Sequence, residues 1–267
     1  MSGKEDAMTE TVEMDIEMGK EDQAPERARK SGDMYTWYEG MPWNPVERVI
    51  LERRSVRKYK DKQVPEKLVR RILEAGRFAP TAGNCQAFRF AVVRDKKMLD
   101  EMEKSVQLSC KLLKFLLHWR TSPLGKLAWI NSQIFIRLLP NMLYPIPFSA
   151  IGLIADGKLK LWHDAPTVIL IFVDKRGVGK PDLDAGIIGQ NMVLAAHSLG
   201  LGTCWIGFVE PLNMKAKWRK RLGISWPYHL IEGITLGYPV GQPDGMVERE
   251  LHEVDWWDED GSKRTVF

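Results

Sequence analysis

The chain has 267 residues, 44% hydrophobic and 28% charged, with three cysteines and a net charge of +4. That length supports one large domain or two small ones around a sizeable core. Three cysteines without a CxxC pair exclude a disulfide scaffold and a cysteine-rich zinc or iron–sulfur centre, and the mild charge points to no nucleic-acid partner.

The first segment reads as an acidic flexible tail over residues 1–42. Residues 1–33 hold ten acids against five bases and no aromatic residue, too little apolar surface to offset the entropy of ordering. A sharper reading is an arm that wraps a partner subunit. No apolar signal-peptide core follows Met1, and no run of about 18 apolar residues exists anywhere. A cytoplasmic location is therefore expected.

The ordered domain is expected over 43–267. Asn44-Pro45-Val46-Glu47 reads as a helix start, with Val46, Val49 and Ile50 on one face. A second helix starts near Pro65, with Leu68, Ile72 and Ala75 at spacings of four and three. Residues 80–86, PTAGNCQ, are turn chemistry, and 87–94 alternates as a strand. A helix is expected from Lys96 to about His118. An insertion follows at about 105–160. Residues 104–155 carry six bases, no acid, and many leucines and aromatics.

The run TVILIFV (167–173) predicts a central buried strand, and Asp184 to Leu199 a helix stopped by Gly200. A short strand is expected over 203–207 and a basic helix over 212–222. A last strand spans 229–236 and closes on Gly237-Tyr238-Pro239.

No P-loop, HExxH or nucleophile elbow is present. His118, His163, His197, His229 and His252 share no metal-ligand spacing and read as core or surface histidines. Three loop–helix clusters remain. Arg53, Arg54, Ser55 and Arg57 present three guanidiniums and a hydroxyl suited to phosphate oxygens, or else a solvated helix end. Thr81, Asn84 and Gln86 offer groups suited to the edge of a heterocycle, or else an ordinary turn. Gly200 to Gly207 offers glycines that let backbone approach a flat ligand.

In this order the clusters resemble the FMN-dependent nitroreductase superfamily. The matching pieces are RRSVRKY (53–59), VPEKLVRRILEAGRFAPTAGNCQAFRFAVV (64–93), GLGTCWIG (200–207) and LGYP (236–239). The resemblance implies an α+β fold, a central mostly antiparallel sheet flanked by helices, in an interlocked homodimer with FMN in each of two interfacial clefts. It implies that Arg53, Arg54, Ser55 and Arg57 hold the phosphate and the pyrimidine edge. It implies that Thr81, Asn84 and Gln86 line the ring, with Asn84 and Gln86 from the partner subunit or near its ribityl chain. Backbone groups of Gly202, Thr203 and Cys204 would approach N5 and O4, with the Cys204 thiol idle. Arg249 would complete the phosphate site, although the family's basic–Pro–Arg spacing is absent, and Ala87 stands where the family has Pro.

The resemblance further implies ping-pong transfer from NADH or NADPH, through the flavin, to a small apolar or aromatic acceptor such as a nitroaromatic, quinone or enone. No catalytic side chain is required. For the insertion three readings stand: a helical lid buried against the dimer, a lid over an apolar substrate pocket, and a peripheral membrane contact. A reductive dehalogenase of the iodotyrosine-deiodinase type ranks lower, because its lid uses a Glu that 104–155 lacks. The flavin-cleaving branch of the family and a non-catalytic flavin-binding or membrane-docking protein also stand as alternatives.

Overall fold

The computed structural model describes residues 43–117, 145–241 and 252–266. The expected tail, the greater part of the insertion and Arg249 lie outside the described residues. Two units are present: residues 43–241, and a hairpin of β5 (Val254–Trp257) and β6 (Lys263–Val266).

The larger unit runs α1 (Pro45–Glu52), α2 (Glu66–Arg77), a 3-10 turn (Ala82–Asn84), β1 (Phe88–Val93) and α3 (Lys96–Leu117). It continues with α4 (Pro145–Ala155), β2 (Thr167–Asp174), α5 (Pro181–Ser198), β3 (Gly202–Ile206), α6 (Glu210–Met214), α7 (Ala216–Leu222) and β4 (Tyr228–Gly237). The four strands lie in the order β1-β2-β4-β3, every pair antiparallel. The α+β architecture is as the resemblance implied.

The unbroken apolar run of β2 has a simple cause: helices cover both faces of the sheet. Val168, Leu170 and Phe172 enter one core with Met102 and Val106 of α3, Leu212 of α6 and Trp218 of α7. Ile169, Ile171 and Val173 enter the other with Val69 and Ile72 of α2 and Ile188 and Met192 of α5. An irregularity between Ile171 and Phe172 sets them opposite Glu232 and Leu230, so Ile231 is the extra residue. Beyond this bulge β4 changes faces, and Leu230 joins the first core while Ile234 and Leu236 join the second.

Several local expectations need correction. Helix α1 buries no residue, and Val46 is 67% exposed, so its apolar stripe faces away from both cores. The inward face of α2 is Val69, Ile72 and Gly76, one residue on from the Leu68/Ala75 reading. At Gly76 the Met192 side chain of α5 fills the space that a Cβ would take, so α2 packs closely on α5 there. The sequence places Ile188, Met192, Ala195 and Leu199 of α5 inward; Ile188 and Met192 are buried, but Ala196 is buried in place of Ala195, and Leu199 is half-buried. The basic helix over 212–222 is two short helices broken at Lys215, whose backbone is extended. Among the described residues no helix is long and apolar enough to cross a membrane.

Candidate functional site

The first cluster starts where α1 stops. Asn44 and Glu47 form the expected capping box, with the Asn44 side chain accepting from Val46 N at 2.9 Å and Glu47 N at 3.0 Å. At the other end Arg53 leaves the helical region. Arg54 Nη1 donates to the carbonyls of Leu51 and Arg53, both at 2.9 Å. That guanidinium thus serves carbonyls at the helix end.

Residues 53–60 then form a strap along the sheet. Ser55 bridges Thr203 in parallel fashion, and Val56 N donates to Thr203 O at 2.8 Å. Farther on Lys60 N donates to Tyr238 O at 2.8 Å, and Val240 N to Lys58 O at 3.0 Å. Two glycines make this seat. A Cβ on residue 202 would stand 2.7 Å from Val56 Cγ2, and one on residue 237 would stand 2.8 Å from Tyr59 Cδ1. The arginine cluster and the GLGTCWIG segment, about 150 residues apart in sequence, therefore touch within one chain.

Beneath the strap lies a buried polar relay. Tyr59 OH donates to Val56 O at 2.6 Å and lies 2.7 Å from Thr235 Oγ1. Thr235 Oγ1 lies 3.1 Å from Cys204 N and 3.2 Å from Cys204 O, and is fully buried. Burial drives the Tyr59 hydroxyl far above the ordinary phenol range, so it is neutral.

The charge of the site is positive. Arg53 and Arg57 have no carboxylate at ion-pair distance among the described residues, and Arg53 Nε is buried without a hydrogen-bond partner there. Burial raises the Cys204 thiol, while Arg57 and Ser55 beside it act in the opposite direction. The thiol of Cys204 thus stands among these side chains and is held neutral. Burial, and then Arg57, push His163 below the ordinary imidazole range. His163 and Asp164 are both left-handed, at φ 53° and 56°.

The second cluster is built locally. Thr81 Oγ1 accepts Gln86 N at 3.1 Å, and Gln86 Nε2 donates to Asn84 Oδ1 at 3.0 Å. Asn84 (φ 53°) and Gln86 (φ 50°) are left-handed and exposed. The structure does not bring this cluster to the first. It leads into β1, whose Phe88 pairs with Val173, itself opposite His229 near the start of β4. Gly202 instead pairs with Gly237 at the end of β4, and β3 is the opposite edge strand. Eight residues and three strand spacings separate the two corners, about 25 Å along the strands and about 14 Å across.

Sequence reasoning missed Tyr59, Thr235, His163 and Glu232. Glu232 has its carboxyl oxygens 3.5 and 3.6 Å from where a Cβ on residue 207 would lie, and burial raises its pKa. Tyr59 lies within the RRSVRKY run, but its role shows only through its contact with Thr235; Thr235, His163 and Glu232 come near the clusters only through the tertiary fold, so no spacing signal could have found them.

The chain is 31% identical over 199 residues to a protein of Methanothermobacter thermautotrophicus described as an NADH dehydrogenase/NAD(P)H nitroreductase, covering 73% of this chain and 77% of the relative. It is 26% identical to a 4-nitrobenzoate reductase of a Nocardioides strain, over 79% of this chain and 90% of that one. The fold matches the crystal structure of a nitroreductase with bound FMN from Desulfitobacterium hafniense, with a TM-score of 0.58 and 24% identity, covering 78% of this chain and 96% of that one. A family model described as the Nitroreductase family matches residues 50–238, so the chain belongs to that family.

Proposed function

We propose that this chain is an FMN-dependent oxidoreductase that passes reducing equivalents from NADH or NADPH to a small apolar or aromatic acceptor. One observation carries the reading: Arg53, Ser55 and Arg57 stand against the Gly202–Cys204 backbone with no carboxylate paired to either arginine among the described residues. Such a donor set suits a phosphate or the oxygen-rich edge of a flavin. The orphaned Arg53 Nε fits the same ligand, because a buried N–H without a partner is costly unless something accepts from it. Bound FMN would supply the hydride chemistry. The chain's own residues bind it, orient it and hold positive charge beside it.

In this reading Arg54 contributes through the helix end that it stabilises, and Arg249 is a further phosphate ligand. Thr81, Asn84 and Gln86 belong to a site in trans. Their position at the far corner of the sheet supports a homodimer in which each cleft takes the strap of one subunit and the PTAGNCQ turn of the other. The start of the insertion supports an apolar cover for the acceptor. Along α3, Leu99, Met102, Val106 and Cys110 face the core, yet Leu108, Leu112 and Phe115 on the outer side are apolar and exposed.

Purified protein should be yellow, and NADH or NADPH should bleach it without oxygen. Arg53→Ala combined with Arg57→Ala should weaken FMN about 100-fold or more, taking 1.5–3 kcal/mol for each charged hydrogen bond. A colourless protein that takes up no FMN would refute the reading. Undiminished affinity in the double variant would refute the phosphate assignment.

A further inference from the structure

The Tyr59–Thr235 relay lies outside the roles assigned above, although it joins the two halves of the site. Its proton count is short. Two hydroxyls supply two protons, while three contacts need one: Tyr59 to Val56 O, the Tyr59–Thr235 contact itself, and Thr235 to Cys204 O. When Tyr59 donates to Val56 O, Thr235 donates to Tyr59 and Cys204 O goes unserved by it. When Thr235 donates to Cys204 O, Tyr59 donates to Thr235 and releases Val56 O. With a proton kept in the 2.7 Å Tyr59–Thr235 contact, the relay has two settings, one tightening the strap and the other tightening the Cys204 peptide. In both, Cys204 N donates to Thr235 Oγ1.

Among the described residues neither hydroxyl has a further hydrogen-bond partner. Thr235 is 0% exposed. The Tyr59 ring is wedged against Gly237, where a Cβ would meet both Tyr59 Cδ1 and Pro166 Cδ at 2.8 Å. The backbone on either side of Tyr59 is fixed, by Val56 N to Thr203 O before it and Lys60 N to Tyr238 O after it. A shift of the strap, which carries Arg53, Ser55 and Arg57, is therefore felt at the Cys204 peptide through one tyrosine and one threonine.

We propose that Tyr59 and Thr235 are positioning residues that couple the arginine strap to the Cys204 peptide, so that the phosphate end and the ring end of the cofactor are held in one register. The proposal rests on the FMN reading. It assigns the two hydroxyls different ends of the ligand. Loss of the Tyr59 hydroxyl loosens the strap and acts on the phosphate. Loss of the Thr235 hydroxyl acts first on the peptide facing the ring.

The test compares FMN and riboflavin, which share the ring and differ in the phosphate, by fluorescence titration of wild type, Tyr59→Phe, Thr235→Val and Thr235→Ser. Tyr59→Phe keeps the ring that fills the space beside Gly237. It should lower FMN affinity roughly five- to tenfold, as one net hydrogen bond implies, and riboflavin affinity far less. Thr235→Val should lower both affinities by a similar factor and shift the bound flavin's visible spectrum, and Thr235→Ser should restore both. The double variant Tyr59→Phe/Thr235→Val should be less impaired than the product of the single losses, because each breaks the same relay. A Tyr59→Phe protein that binds FMN as the wild type does would overturn the proposal. So would equal losses for FMN and riboflavin in that variant that track a fall in melting temperature, which marks a merely structural role. A wild-type chain that binds neither ligand overturns the FMN reading and the relay proposal together.

Discussion

Gly202 offers the sharpest test of how the site is assembled. A methyl group there would lie 2.7 Å from Val56 Cγ2, 2.8 Å from its Cβ and 2.9 Å from its Cγ1. All three atoms belong to one β-branched side chain, so no single rotation clears them. Val56 cannot retreat freely either, because its N–H is bound to Thr203 O at 2.8 Å and Ser55 is bridged to the same residue. Gly202→Ala must therefore lift the strap by several tenths of an ångström or strain β3. Overpacking of this kind costs about 1–3 kcal/mol. For a chain of this size that lowers the melting temperature by about 2–4 °C per kcal/mol. FMN affinity should fall as well, since the strap carries Arg53, Ser55 and Arg57. Adding Val56→Gly should recover part of the affinity, whereas Val56→Ala should recover less, because the Cβ itself is one of the clashing atoms. The assays are thermal denaturation and flavin titration on the same preparations. Unchanged melting and affinity in Gly202→Ala would show that the strap is not seated on β3, and the assembly of the site described above would be wrong.

Two further outcomes follow from the same geometry. If the PTAGNCQ turn serves the partner's cleft, mixing Arg53→Ala/Arg57→Ala chains with Asn84→Ala/Gln86→Ala chains should restore about a quarter of the wild-type FMN sites, since half of the random dimers are mixed and each mixed dimer has one intact cleft. Stoichiometric flavin titration reads this directly, and no recovery would place all the ligands in one chain. Burial raises the pKa of Glu232, so between its unfolded and folded values the native state holds more protons than the unfolded chain. Stability from this group is then lost as pH rises through the raised value. Glu232→Gln should be more stable than wild type at neutral pH, by less than about 1 kcal/mol because water reaches the carboxyl. The advantage should vanish below the ordinary carboxylate range. A melting-temperature difference that is the same from pH 4 to pH 8 would refute this account.

Local chemistry made a good part of the molecule readable in advance. The capping box at Asn44 and Glu47, the glycine that ends α7 at φ 64°, and the apolar run of β2 all follow from interactions within a few residues. The three clusters were legible for the same reason, since each is a short run of unusual side chains at the edge of an element. Facing was less legible. The outward stripe of α1 and the shifted face of α2 depend on what packs against them, and Met192, which displaces a side chain at residue 76, is 116 positions away. Nor could periodicity foresee Ile231 as an extra residue, because a bulge exists only relative to a partner strand.

The site itself divides along the same line. The order of residues sets which groups are available: guanidiniums at 53 and 57, amides at 84 and 86, glycines at 202 and 237. Which of them meet depends on strand pairing across the sheet. Antiparallel pairing of β3 with β4 set the start of β3 beside the strap, and Tyr59 and Thr235 locked the two together. The same sheet order sent the PTAGNCQ turn to the opposite corner. Side-chain chemistry is a property of each residue, whereas proximity across about 150 residues comes from strand register, and register is set by the burial of both faces of the sheet at once.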